Sequence, residues 1–517
     1  MNYIKYILSA IVVIIAISSC SEDFLDRQPL DQINSSNFYK TEEDAKQALI
    51  AVYDAFQYQS SPGVSWAPFV TYSDILSDDM YAGGADANDG EDDNELNSYE
   101  LPATNQIIHS LYLKNYVGIY RANLLLEKLD EIEASAEFKQ RVTAECKFLR
   151  AYFYTELVRF FENIPLLTAT IKGPSEYSQP QAAPSDVYNQ IATDLMDAMD
   201  DLPESVPTVE NGRVTKWAAV GLLARIYLFY EGVYGADLVA NGNAVGRAQV
   251  LARVENMIAN SDRALHPDYS EIFRKAGEFS TESVLEIPHG DSPAWWDWGY
   301  LRGSEGNLAA QLQGPRVTGS ENWNRGWSFG PVSQKLVDDL SGDPRFVSTI
   351  LTEDELDGNL IKGYQHTGFF SKKYSSDAEH WGSDGQFEHN RTCNNRVIRY
   401  SDVLLMAAEL GSANAQDYLD QVRARVGLSS VPATTQNIMK ERRLELSLEG
   451  IRYFDVVRQG MNVAMDEFTI VGQLGPKYTD DAVVYDVIFR PETGGFLPIP
   501  QSEIDLSGGV FQQNAGH

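Results

Sequence analysis

The chain has 517 residues, 43% of them apolar, and a formal net charge of −33. That length supports a large core, beyond the usual size of one domain. The acidic balance excludes nucleic acid and anionic membrane surfaces as partners and disfavours polyanionic ligands outside a local basic groove, because phosphate recognition needs clustered Lys and Arg.

At the N-terminus Lys5 precedes an apolar run over residues 6–17, followed by Ser18-Ser19-Cys20. A spanning helix needs ~20 residues, so this run is a cleavable secretion signal, and no later stretch is long and apolar enough to cross a bilayer. A small residue followed at once by cysteine is the pattern of a bacterial lipoprotein box. Cys20 is then the lipidated first residue of the mature chain, which is anchored by lipid and does not span. The alternative is an ordinary signal peptide with a coincidental cysteine, although no A-x-A site is present. Ser21-Glu22-Asp23 resembles the acidic tag that exports lipoproteins of Bacteroidota to the cell surface.

Residues 41–56 place Thr at an N-cap, acids in the first turn and apolar residues three and four apart, which predicts an amphipathic helix. The same period recurs over 107–129, 138–161, 185–202 and 215–230. Small and aromatic residues along these segments suit tetratricopeptide-like helix hairpins, though the repeat is irregular. Cys146 stands at helical spacing from Val142, Leu149 and Phe153 and reads as a core residue; it and Cys393 are too far apart in sequence to form a disulfide framework, and their pairing stays open. Helices follow over 332–340, 400–410, 415–426 and 435–449, with short β segments near 284–287 and 483–489. The fold class is all-α.

Two long irregular regions interrupt this pattern, 60–102 and 288–330, and loops of such length are usually functional. The first holds Asp86, Asn88, Asp89, Glu91, Asp92, Asp93, Asn94 and Glu95. Clustered oxygen ligands are what calcium requires, with Asp86, Asn88, Asp89 and Asp92 as candidates, but the tract lacks EF-hand spacing and equally fits an acidic surface loop. The second holds Trp295-Trp296-Asp297-Trp298-Gly299-Tyr300, then Asn322, Trp323, Asn324, Arg325 and Trp327. Exposed ring faces beside polar groups suit the apolar C–H faces and hydroxyls of a sugar; buried, the same rings are core. Trp296, Trp298 and Trp323 are the preferred platforms, and Trp327 reads as structural.

Residues 441–450 read Glu-Arg-Arg-Leu-Glu-Leu-Ser-Leu-Glu-Gly and are followed by Arg452, Asp455, Arg458 and Gly460. This block, with Phe496-Leu497-Pro498-Ile499-Pro500-Gln501-Ser502-Glu503-Ile504 and Gln513-Asn514, resembles the SusD/RagB family of outer-membrane nutrient-binding lipoproteins. Residues 395–409, 144–152 and 163–166 extend the resemblance over the whole mature length. On the residues alone, the Glu441, Glu445 and Glu449 stripe with its arginines is a solvated or ion-paired face, and its role reads as structural.

The resemblance implies removal of 1–19, a helical N-terminal part over 20–230, a connecting segment over 231–280 and a C-terminal part over 281–517, in one compact unit. It implies a glycan site built from the N-terminal loop and the loops after the central helices. Trp66, Tyr72, Asp78 and Tyr81 then join Trp295, Trp296, Trp298, Tyr300, Asn322 and Trp323 as ligand-binding candidates, while Asp74, Asp78 and Asp79 either accept sugar hydroxyls or cap turns. It further implies binding without catalysis, no cofactor and delivery of oligosaccharide to a SusC-like TonB-dependent transporter. No H-E-x-x-H, G-x-S-x-G or P-loop is present, and the histidines fall at no metal-ligand spacing. A peptide-binding, RagB-like receptor and an unrecognised glycoside hydrolase are the alternatives.

Overall fold

Capping residues and apolar stripes start each long helix where the sequence places them. In a computed structural model the described residues are Tyr3, 38–59, 65–66, 68–291, 305–383, 390–471 and 486–517. Helix α1 (Glu42–Gln57) opens on a capping box: Asp44 N donates to the Thr41 hydroxyl, and Thr41 N donates to the Asp44 carboxylate. It buries Ala45, Ala48, Leu49, Val52 and Phe56, three and four residues apart. Then come α2 (Gln106–Lys128), capped by Asn105, α3 (Ala136–Phe161), capped by Ser135, and α4 (Pro184–Asp201), which starts on its proline. Next are α5 (Lys216–Tyr234), capped by Thr215 and closed by Gly235 at φ 63°, and α6 (Arg247–Asn260).

Neighbours in sequence are neighbours in space: α2 lies against α1 and α3, α4 against α3 and α5, and α6 against α5. Helix α5 is buried almost all round, from Trp217 to Tyr230, because α4, α6 and the second half of the chain enclose it. The protein is mostly helical, as the sequence predicts.

The second half contributes α7 (Tyr400–Glu409), α8 (Ala415–Arg425), α9 (Thr435–Glu445) and α10 (Arg452–Val457). Strands β1 (Ser283–Ile287) and β2 (Asn395–Arg399) pair antiparallel, with Glu286 opposite Arg396. The region 60–102 is less irregular than predicted, since it contains the short helices Phe69–Ile75 and Glu91–Ser98; the latter gathers Glu91, Asp92 and Asp93 at its positive end. Of the predicted β segment at 483–489, Val487 forms an antiparallel bridge with Ile470, and 483–485 lie outside the described residues.

Helix α9 ends at Glu445, four residues before the predicted end. The chain turns through Leu448 at φ 61° and Gly450 at φ 72°, and a Cβ on Gly450 would stand 3.1 Å from the Val70 backbone. The acidic stripe is buried, not solvated. Arg399 pairs with Glu282 at 2.5 Å, Glu445 at 2.9 Å and Glu449 at 2.8 Å. Arg345 joins Asp343, Glu441 and Glu445; Arg425 joins Glu282 and Glu445; Arg423 joins Glu441; Lys373 joins Glu449. One turn further, Arg442 links Asp402 to Asp455, and Arg458 links Asp455 to Glu409. Burial alone would raise Asp402, but Arg442 and Arg225 overcome it and hold that carboxyl at about 2.

Cys146 is buried in the main core and Cys393 in a small cluster with Phe273 and Tyr374, and both are free thiols. Among the described residues no helix is long and apolar enough to cross a membrane.

Candidate functional site

The residues that flank the aromatic segment 292–304 meet at a closed foot. Gly290 N donates to the Glu305 carbonyl at 2.8 Å, and Gln57 Nε2 donates to the same carbonyl at 2.9 Å. His289 packs beneath, its backbone N donating to Asn394 Oδ1 at 2.9 Å. Burial depresses the His289 imidazole to about 4, so the foot carries no charge there at neutral pH. Beside it, Ser383 donates from its backbone N and hydroxyl to Asp291 Oδ2, at 2.8 and 3.0 Å, and Gly382 N donates to the Asn390 carbonyl at 2.9 Å. The roots of segments 292–304 and 384–389 are therefore tied together. Half-buried Trp381 stands on the same turn and donates its indole N–H to the Ser376 carbonyl at 2.9 Å.

A cleft of about 490 Å³ opens against the foot, walled by Pro288 and Glu305, by Tyr53, Phe56 and Gln57 of α1, by Phe138 of α3 and by Arg213. Its surface is mostly apolar, with carboxylate, amide and guanidinium groups at the rim, which is the composition of a small-ligand cleft. A second, more polar cleft of about 400 Å³ shares Asn211, Gly212 and Arg213 with it.

The structure separates the candidates that the sequence grouped. Trp66 is half-buried, its ring 5.4 Å from Trp327 and 6.5 Å from Phe329. Asn322 is exposed; its amide donates to Asp357 at 3.3 Å and its carbonyl accepts from Ala378 N at 2.8 Å. Cys20, Trp295, Trp296, Trp298 and Tyr300 lie outside the described residues.

Four candidates are corrected, because the protein itself covers them. Tyr72 is fully buried beside Asp93. Asp78 is buried among Arg452 at 2.8 Å, Lys335 at 2.8 Å and Arg443 at 3.3 Å, whose charges overcome burial and hold it ionised. Tyr81 is buried on a backbone bond to Pro331, and Trp323 packs on Leu351 and Phe370. Asp74 and Asp79 are buried as well.

The calcium candidates are engaged by their own loop. Asp86 accepts from Asn88 N at 2.8 Å, Asp89 from Ala85 N at 2.7 Å and from Arg316 at 3.3 Å, and Asp92 from Gln106 N at 3.1 Å. They cap turns and the start of α2.

Sequence reasoning missed Gln57, His289, Glu305 and Trp381. Gln57, His289 and Glu305 meet partners far off in sequence, as Gln57 does with Glu305 and His289 with Asn394, while Trp381 is held by nearby Ser376 and carries no motif.

Comparison with known proteins divides the chain in two. A family model described as the SusD family matches residues 296–517, and one described as starch-binding associating with outer membrane matches 23–228. The SusD-like protein P2 of Formosa agariphila is 24% identical over 548 residues, covering 99% of this chain and 100% of the relative. The structure of a laminarin binding SusD-like protein superposes with a TM-score of 0.80 at 33% identity, over 93% of this chain and 100% of that one. Surface glycan-binding protein A from Bacteroides thetaiotaomicron, in complex with laminarihexaose, gives 0.79 at 28% identity, over 92% and 100%.

Proposed function

The chain belongs to the SusD family, and from that premise we propose that it is a surface glycan-binding protein of an outer membrane that takes laminarin-type β-glucan without turning it over. The observation that carries the reading is the 33% identity, over 93% of this chain, to a laminarin binding SusD-like protein. The aromatic segment supports it: residues 295–300 hold four large rings, and the residues that flank the segment stand beside a mostly apolar cleft and near Trp381. Rings there stack on the apolar faces of glucose units while Glu305, Gln57 and Asn322 meet hydroxyls. Trp66 and its neighbour Trp327 extend the platform.

The same reading makes Cys20 the lipid anchor, turns the binding face to the cell exterior, and makes the partner a SusC-like TonB-dependent transporter. Lipid and transporter are then two tethers that keep captured glycan at high local concentration over the pore. Energy for import comes from the transporter.

The test is calorimetric titration of the chain lacking residues 1–20 with laminarin oligosaccharides, with starch, other plant and microbial oligosaccharides, and with a peptide mixture. Saturable binding to laminarin that weakens about tenfold in Trp296→Ala, equivalent to about 1.4 kcal/mol, is the expected result. Binding to peptides alone, or an unchanged affinity in both Trp296→Ala and Trp66→Ala, overturns the site. Release of shorter sugars, abolished by one carboxylate substitution, overturns the absence of catalysis.

A further inference from the structure

The turn behind Trp323 gathers three metal-ligating side chains that the glycan reading does not use. Asp377, Glu379 and His380 each bring one ligand atom, and these atoms lie within 4.8 Å of one another. All three stand on a single 3-10 turn, Ala378–His380, with Asp377 at its N-cap. Asp377 is 5% exposed and His380 1% exposed.

Among the described residues two buried acceptors in this turn, Asp377 Oδ1 and His380 Nδ1, have no hydrogen-bond partner, although the backbone N–H groups of Glu379 and His380 face the Asp377 carboxyl. The other imidazole nitrogen, Nε2, lies 3.2 Å from the Phe273 carbonyl, so it carries the proton and leaves a lone pair on Nδ1. A carbonyl that fixes the tautomer from behind is the usual support of a ligating histidine. An orphaned buried acceptor is unfavourable, and a cation satisfies two at once.

The present counter-charge is Arg274. Its Nη1 lies 3.1 Å from Asp377 Oδ2 and 3.6 Å from Glu379 Oε2, and the side chain is 30% exposed, with room to move toward solvent. Because Arg274 engages the outer oxygen of Asp377, the inner one stays open. Arg391 also faces Asp377, and Lys275 and Arg396 stand near His380, so a bound ion takes the place of the Arg274 guanidinium against the two carboxylates.

We infer that Asp377, Glu379 and His380 hold a divalent cation of the zinc class, with water in the fourth position. One nitrogen and two carboxylate ligands suit zinc, whereas calcium requires six to eight oxygens. Ligand atoms around zinc stand about 3.4 Å apart in tetrahedral geometry, so binding draws the three groups together, with exposed Glu379 the freest of them to move. The ion clamps a turn that is already stitched to the Asn322 strap, through Ala378 N to the Asn322 carbonyl at 2.8 Å and through the Trp323–Asp377 bridge.

The test is zinc titration of the chelator-treated protein by calorimetry, with cobalt substitution followed by visible absorption. One ion per chain, at least tenfold weaker in Glu379→Gln, and a tetrahedral cobalt band lost in that variant are expected. His380→Gln should abolish both signals; Glu379→Gln, altered at an exposed position, keeps the test valid where His380→Gln does not fold. Absence of saturable zinc binding overturns the inference. So does zinc binding unchanged in Glu379→Gln, since the ion then sits on the acidic surface.

Discussion

Replacing Arg399 with methionine asks whether the Glu-Arg-Arg block is architecture or recognition surface. The Arg399 guanidinium contacts Glu282, Glu445 and Glu449 at 2.5, 2.9 and 2.8 Å, and donates to Ser401 Oγ at 2.7 Å. The three carboxylates keep other partners afterwards: Glu282 keeps Arg425 at 2.8 Å, Glu445 keeps Arg345 at 3.1 Å and Glu449 keeps Lys373 at 2.6 Å. In this cluster the carboxylates of Glu282, Asp343, Glu441, Glu445 and Glu449 face the cations of Arg345, Lys373, Arg399, Arg423 and Arg425, so the substitution leaves one buried negative charge uncompensated. Breaking a buried pair in this way costs ~3–5 kcal/mol, against 0–1 for an exposed pair. Urea denaturation should show the unfolding free energy lowered by that amount, through a lower midpoint at unchanged slope, with Arg399→Lys in between because it keeps the charge and loses the fork. The folded variant should bind laminarin within about twofold of the parent. A loss below about 1 kcal/mol, or a large loss of affinity in the folded protein, refutes the structural assignment.

Acid should unfold the protein through the same lattice. The Asp402 carboxyl is held at about 2, and Glu445 and Asp78 are also depressed, so their contribution is complete above the ordinary carboxylate range and disappears as pH falls toward 2; melting temperature against pH reads this directly. Asp93 has the opposite sign: burial raises it well above the ordinary value, so the folded state keeps a proton and loses stability as pH rises, and Asp93→Asn should melt no lower than the parent at pH 8. At the α2–α3 crossing, a Cβ on Gly118 would stand 2.3 Å from the Phe153 ring, so Gly118→Ala should cost about 1–3 kcal/mol by chemical denaturation. A neutral Gly118→Ala would show that the crossing is loosely packed.

The helices were legible because their information is local. Thr41 with Asp44, Ser135 before α3 and the apolar spacing of α1 specify a start, a face and a length without reference to the rest of the chain. The end of α9 was not, because Glu441, Glu445 and Glu449 keep helical spacing while the backbone has already turned. Glu449 still reaches Arg399 and Lys373, and Gly450 fits where the Val70 backbone approaches, a contact with a residue 380 positions earlier.

The two long loops look alike in composition and differ in what covers them. Residues 72–81 sit under Arg443 and Arg452, cations supplied by the far end of the chain, so Asp78 satisfies a lattice and leaves nothing for a sugar. Trp323 likewise meets Leu351 and Phe370, which arrive from a later β hairpin. An aromatic ring in a loop is a platform only where no later segment lies over it, and that condition is set by tertiary contacts that periodicity and composition do not encode. The foot at Gly290 and Glu305 is where the structure brings α1, β1 and β2 together, with the cleft beside it. On the proposed reading, a foot that fixes both ends of the ring-rich segment lowers the ordering cost of binding, so the substitutions most informative about recognition fall on that segment and not in the block that identifies the family.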